Sequence, residues 1–213
     1  MREFSYNDLF FLLDATQYTL WLSLVSLILG GVIGVGVCLM RLSTSRPVAA
    51  LASAIVAVGQ GVPPLVLLFL AYFGLSFAGV VVSPFVAASV ALSYFAAVYL
   101  GEIWRSAIQS IPTAQWEASE SLSLSWRQQM VYVIVPQAIR LATPSSVGFI
   151  VQLVKNTSLA SIVGLVELTR AGQLVNNATF QAFEVFLAVA AIYFCLCYPL
   201  SLLSRYLEKR TAY

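Results

Sequence analysis

The chain has 213 residues, of which 60% are hydrophobic and only 9% are charged. Soluble domains carry about 25% charged residues, so this composition excludes an ordinary water-soluble protein. The formal net charge of +2 is too small to indicate nucleic-acid binding. The sequence therefore predicts a single integral membrane domain over residues 1–213, built entirely from α-helices.

Residue types argue against metal and catalytic chemistry as well. The chain has no histidine, and its three cysteines, Cys38, Cys195 and Cys197, lie in apolar stretches, where thiols usually pack as small apolar groups. An intramembrane enzyme needs a proton-transfer group in the bilayer, yet Asp8 and Asp14 precede the first expected span. We therefore predict no catalytic residue and no metal site.

Five stretches are apolar over roughly the 20 residues that a membrane-spanning helix requires. We expect these spans at residues 18–40, 49–73, 84–104, 141–163 and 183–203. Eight of the eleven basic residues follow the first, third and fifth spans or border the long loop at 106–139. By the positive-inside rule, this bias predicts an outside N-terminus, a cytoplasmic C-terminus and a cytoplasmic loop.

Two features within the apolar spans indicate more than simple anchoring. Gly30 and Gly34 form a small face, which favours close helix packing in the first span. In the second span, the run from Gln60 to Pro64 interrupts the helix, because proline supplies no backbone donor. This interruption fits either a kink stabilised by neighbouring helices or a segment lining a cavity.

Several polar side chains fall within or close to the expected spans. A lysine at the centre of a bilayer costs about 2.5 to 3.5 kcal/mol, so Lys155 either reaches the interface or lines a polar path. Glu102 is placed to form an ion pair with Arg105, three residues later on a helix. The candidate translocation pathway comprises Gln60, Tyr94, Glu102, Gln152, Lys155, Asn156, Thr157 and Ser158.

The long loop is expected to contain two short helices joined by a turn. Pro112 is suited to the first position of one helix, and Ser125 with Gln128 fits the capping box that opens the second. Pro136 is expected to interrupt the second helix before the fourth span. The first helix places Trp116 on one side with two small serines. This side suits either the groove of a partner protein or the membrane interface.

The order of the motifs along the chain is more specific than any one of them. The loop contains Glu117-Ala118-Ser119, then Ser123, then Val133-Ile134-Val135-Pro136. Four further segments occur in order along the chain: Tyr72-Phe73-Gly74-Leu75, Glu102-Ile103-Trp104-Arg105, Gln115-Trp116 and Lys155-Asn156-Thr157-Ser158-Leu159. Over most of its length the chain resembles the permease subunits of ATP-binding-cassette (ABC) importers for polar amino acids, of the histidine, arginine, glutamine and glutamate type.

The resemblance implies the type I importer permease fold, with five core helices in a bacterial inner membrane. It implies that the loop couples the permease to a separate ATPase dimer, which binds ATP and Mg²⁺, so this chain itself is no enzyme. The implied coupling residues are Trp116, Glu117, Ala118, Ser119, Leu122, Ser123 and Pro136.

The resemblance also implies further partners: an extracytoplasmic binding protein that delivers the amino acid, and a second permease. We favour a sister permease over a second copy of this chain. An ATP-independent channel or secondary carrier for small polar solutes is the alternative function.

The chain departs from the family pattern at three positions. Ser123 stands where the family has a glycine, and a left-handed serine costs about 1 to 2 kcal/mol unless the turn differs. Gln60 replaces an arginine of the family's Arg-Gly-Thr-Pro motif, which removes a cation. Ser119 replaces the second alanine of Glu-Ala-Ala, a small change that should preserve close approach.

Overall fold

The computed structural model describes residues 2–211, and every regular element in that range is helical. This confirms the all-α fold class. The helices, numbered in chain order, are α1 (Tyr6–Arg41), α2 (Arg46–Gly61), α3 (Pro64–Phe77), α4 (Pro84–Gln109), α5 (Thr113–Ser121), α6 (Trp126–Val163), α7 (Leu168–Thr179) and α8 (Ala182–Thr211).

Within residues 2–211, four helices are long and apolar enough to cross a membrane, or five if α2 and α3 form one bent span. Most of the helices extend beyond the spans expected from hydropathy. The first begins at Tyr6 and not near residue 18, so Asp8 and Asp14 lie inside it. The earlier start has a local cause, because the carboxylate of Asp8 accepts a hydrogen bond from the backbone N–H of Ser5 at 3.0 Å.

The interruption expected within the second span, at Gln60–Pro64, is present. The structure has two helices, α2 and α3, which meet at an angle of 104°. Val62 and Pro63 between them are extended, with ψ angles of 130° and 139°. Since Pro63 and Pro64 cannot donate backbone hydrogen bonds, the helical ladder cannot continue through this point.

The helix α6 joins the loop to the membrane without a break. The structure contradicts the expected interruption at Pro136, because helical backbone continues from Trp126 to Val163. The stretch just before the proline, Gln129–Ile134, is wound as a π-helix. The side-chain amide of Gln137 donates to the carbonyl of Val133 at 2.7 Å, which adds a hydrogen bond beside the proline. The wider π-turn thus accommodates the proline within a continuous helix.

The centre of the fold is the contact of α1 with α4. A methyl group added to Gly30 would lie 2.7 Å from the carbonyl oxygen of Ser93 and 2.5 Å from Cβ of Ala96. Gly34 approaches the backbone of Ala97 in the same way, so the predicted small face is confirmed. Around this contact the largest core cluster is built on Leu22, Phe95 and Leu153, from α1, α4 and α6 respectively, with further members from neighbouring elements.

We predict that Gly30→Ala destabilises the protein by about 1 to 3 kcal/mol, because the new methyl group overpacks a backbone contact. Gly31→Ala is the matched control, since a methyl group there meets nothing within 4 Å. Thermal unfolding of the detergent-purified variants measures the difference. Equal midpoints for the two variants would contradict the packing described here.

Candidate functional site

A polar cavity of about 460 Å³ brings together two of the candidate pathway residues, Gln60 and Glu102. Gln60 lies in the last turn of α2, just before the bend, and its side chain is exposed. The remaining lining comes from α4, the residue after it and α6: Tyr99, Ile103, Arg105, Ser106, Ala107, Ser110, Leu141, Ala142 and Ser145. The interruption in the second span thus borders a cavity at Gln60, which favours the second of its two interpretations, a segment that lines a cavity.

Glu102 lies between two arginines at one side of this cavity. It accepts hydrogen bonds from Nε of Arg105 at 2.8 Å and from Nε of Arg41 at 2.9 Å. Arg41 ends α1 and also contacts the hydroxyl of Ser53 on α2. The predicted pair with Arg105 is therefore present, but the carboxylate also joins α1 and α2 to α4. A charge-assisted network with all three side chains partly shielded restrains these helix ends relative to one another.

The other pathway candidates do not line this cavity. The hydroxyl of Tyr94 donates to the carbonyl of Ile55 at 2.8 Å, which ties α4 to α2. Gln152 and Lys155 are exposed, and Lys155 forms no ion pair within residues 2–211. Asn156, Thr157 and Ser158 lie further along α6, where they form a second polar region away from the cavity.

In this second region the hydroxyls are satisfied locally. Thr157 is buried and donates to the carbonyl of Val154, and Ser158 donates to that of Lys155, each at 2.7 Å. The amide nitrogen of Asn156 is buried and has no hydrogen-bond partner within the described chain. The eight candidates therefore fall into two groups, one at the cavity and one at the far end of α6, with Tyr94 serving as a link between helices.

Sequence reasoning missed Glu167, a fully buried carboxylate. Its two oxygens accept from the backbone N–H groups of Thr169 and Arg170 at 3.0 and 2.9 Å, which caps the N-terminus of α7. The hydroxyl of Tyr193 on α8 donates to the same carboxylate at 3.0 Å. A glycine turn at Gly164, where φ is +91°, precedes the cap and is the sequence signal that would have indicated this helix start.

The loop between α4 and α6 spans residues 110–125 and carries α5. Pro112 is the N-cap residue of α5, one position before the expected place, and the capping box at Ser125 is formed as predicted. Trp116 packs against the chain's own cluster around Ile111 and Ile134, and Ser119 is buried. This side of α5 is therefore covered by its own protein.

The opposite side of α5 is open to a partner. Glu117 and Ala118 are exposed, and Leu122 is 74% exposed at the helix end. The carboxylate of Glu117 forms no hydrogen bond within residues 2–211, although its backbone carbonyl accepts from Ser121. The exposed motif residues thus point away from the residues that anchor the helix.

The turn after α5 keeps the left-handed geometry despite its serine. Ser123 has a φ of +54°. Its N–H donates to the carbonyl of Glu120 at 2.8 Å, and the N–H of Leu124 donates to that of Ser119 at 3.3 Å. This pair of bonds is the Schellman motif, which usually places glycine at the left-handed position. The serine is therefore held in the glycine conformation by the hydrogen bonds around it.

The apolar helices are those of a membrane protein, and a polar cavity with an exposed loop helix is consistent with a transport protein. The chain matches the model of the binding-protein-dependent transport system inner membrane component over residues 26–213, and it belongs to that family. This membership favours the importer over an ATP-independent channel or secondary carrier.

Curated relatives agree over nearly the whole chain. The chain is similar to the probable amino-acid ABC transporter permease protein YckA of Bacillus subtilis, with 35% identity over 95% of this chain and 90% of the relative. It is also similar to the nopaline transport system permease protein NocM of Agrobacterium fabrum, with 37% identity over 89% of this chain and 83% of that protein.

Solved structures give the same fold. A crystal structure of an amino acid ABC transporter with histidines matches with a TM-score of 0.89 and 32% identity, over 94% of both chains. The inward-facing MetNI methionine ABC transporter matches in fold with a TM-score of 0.80 at 23% identity, over 98% of this chain and 99% of that one. The expected importer permease fold is confirmed.

We predict that Ser123→Gly stabilises the loop by about 1 kcal/mol, because glycine adopts the left-handed conformation without steric cost. Ser121→Gly is the matched control, since the same exchange at the last residue of α5 has no left-handed strain to relieve and costs about 0.5 kcal/mol of helix propensity. Hydrogen exchange of the amides of Leu122 and Leu124 measures both effects. If Ser123→Gly lowers the protection of these amides from exchange, as Ser121→Gly should, the serine does not strain the turn.

Proposed function

We propose that this chain is the permease subunit of an ATP-driven importer of polar amino acids and forms half of the translocation pathway. The observation that carries the proposal is the likeness to an amino acid ABC transporter over 94% of both chains. The names of the two curated relatives, which describe an amino-acid permease and a nopaline permease, support the same class of solute.

The exposed side of α5 receives force from a separate ATPase dimer, which binds ATP and Mg²⁺. Two observations support this role. Glu117 and Ala118 face outward, while Trp116 on the other side packs on the cluster that contains Ile134 at the start of α6. A push on α5 therefore reaches α6, whose helical backbone continues to Lys155 and Asn156. Closure of the ATPase dimer would shift α6 and change which side of the membrane has access to the pathway.

The remaining assembly follows the family pattern. An extracytoplasmic binding protein delivers the amino acid, and a second permease, for which we favour a sister chain, completes the pathway. The N-terminus lies outside and the C-terminus in the cytoplasm, together with the loop that holds α5. The basic residues beside that loop and after α8 support this orientation.

The polar groups of the chain suit a zwitterion. The exposed ammonium of Lys155 is suited to meet a carboxylate, and the amide of Gln60 offers both donor and acceptor groups at the cavity. Glu102 is already paired with two arginines, so its charge is balanced within the protein. Gln152, Asn156 and Ser158 would add uncharged polar groups to the path beside Lys155, whereas Thr157 is buried behind them.

Transport by the assembled complex tests the function. The chain is reconstituted in liposomes with its ATPase, sister permease and binding protein, and a panel of polar amino acids is offered with and without ATP. We expect ATP-dependent uptake of at least one of them. Uptake that ignores ATP, or ATP-driven uptake of other solutes only, would contradict the proposal.

A second complex, assembled without the sister permease, tests the pairing. It should show no substrate-stimulated ATP hydrolysis. Full transport by this complex would instead establish a homodimer and leave the amino-acid function intact.

For the loop, we predict that Glu117→Ala weakens binding of the ATPase by about 1.5 to 3 kcal/mol, the range for a hydrogen bond to a charged group. The carboxylate has no partner within the described chain, so its loss should leave the fold unchanged. Glu120→Ala removes an equal charge from the same helix and serves as the control. Association is measured by titrating the ATPase onto the reconstituted permease. The role assigned to Glu117 is wrong if both variants bind as tightly as the parent.

A further inference from the structure

An apolar cavity of about 260 Å³ lies between α1, α4 and α6, on the side of the loop. Its interior includes Ala138 and Cys38, both buried, and Trp104. Its mouth is formed by side chains that are about half exposed, among them Val35 and Leu39 on α1. An apolar cavity of this kind excludes water and binds hydrocarbon groups in preference to polar ones.

A second cleft, of about 480 Å³, continues from this cavity toward the loop. The two share Leu39, Ile108 and Met130 as lining residues. Beyond the shared residues, the second cleft is lined by Leu42, Ser43, Thr44, Trp116 and Trp126, so hydroxyl groups appear only in this part. The joined clefts, here called the loop-side groove, are apolar at one end and amphipathic at the other.

The loop-side groove lies beside the last turns of α1, the end at which a membrane-spanning helix leaves the hydrocarbon. Val35 lies six residues before Arg41, the end of α1, which is about 9 Å along the helix axis. Indole rings such as those at the polar end are favoured at the level of lipid headgroups. Arg46 and Arg127 follow Thr44 and Trp126 closely in sequence, and within residues 2–211 neither forms an ion pair. Cations at this level attract the phosphate of a lipid.

We propose that a phospholipid occupies the loop-side groove, with an acyl chain in the apolar cavity and its phosphate at the amphipathic end. Met130, which lines both parts, belongs to the π-helical stretch at the start of α6. The lipid therefore contacts the joint through which α5 acts on the membrane helices. Occupancy depends on the groove alone and does not require the transported solute to be an amino acid.

A photoreactive phosphatidylglycerol with a diazirine in the middle of its acyl chain tests the proposal. The assembled transporter is placed in bilayers that contain this lipid and irradiated, and the labelled residues are mapped by mass spectrometry. We expect adducts inside the groove, on Trp104, Met130 or Ala138. Lipid that merely surrounds the protein does not reach the buried Ala138.

Two variants of α1 supply the matched comparison. Val35→Phe narrows the mouth of the groove and should abolish the interior adducts. Val32→Phe makes the same exchange one turn earlier, at a more exposed valine that lines neither cleft, and should retain them. Adducts confined to the outer surface, or interior adducts that persist in Val35→Phe, would overturn the proposal. A partner helix filling the groove would leave the interior unlabelled and would count against it equally.

Discussion

The close approach of α1 and α4 is the constraint on which the remaining structure depends. At Gly30 and Gly34 the two backbones come so near that a methyl group would displace one of them. Gly101 continues the contact toward the loop, and the carboxylate of the next residue, Glu102, meets Arg41. Because tight packing between helices in lipid comes mainly from such surfaces, this contact fixes the wall of the polar cavity and places the charged network at its edge.

The second organising element is α6, which belongs to the loop and the membrane at once. Its first turns pack beneath Trp116 of α5, and Asn156 with its polar neighbours lies about two turns before its end. A rigid connection of this kind transmits displacement, whereas a flexible hinge at Pro136 would absorb it. The π-helical stretch before the proline is thus central to the proposed coupling, since it preserves the connection.

Hydropathy predicted the membrane class and the approximate place of each apolar helix, and local rules predicted the glycine face and the cap at Ser125. These features depend on short-range chemistry that a sequence displays directly. The break in the second span was predicted from its two prolines, although its angle of 104° was not. The second partner of Glu102 and the tyrosine bound to the buried Glu167 were not predicted, because each depends on residues brought together from distant helices. The break expected at Pro136 is absent. A proline usually breaks an α-helix, but here the π-helical stretch before it lets the helix continue.

The bend between α2 and α3 has an electrostatic consequence. In a straight helix the peptide dipoles add, and partial charges appear only at its two ends. Here a negative helix end and a positive helix end meet at Val62 and Pro63. Few free N–H groups remain at the positive end. Pro63 and Pro64 have none, and the N–H groups of Val66 and Leu67 already donate to the carbonyl of Pro63. The carbonyl end of α2 therefore dominates the dipole at the bend, and its negative partial charge beside Gln60 opposes the excess positive charge of the network formed by Arg41, Glu102 and Arg105.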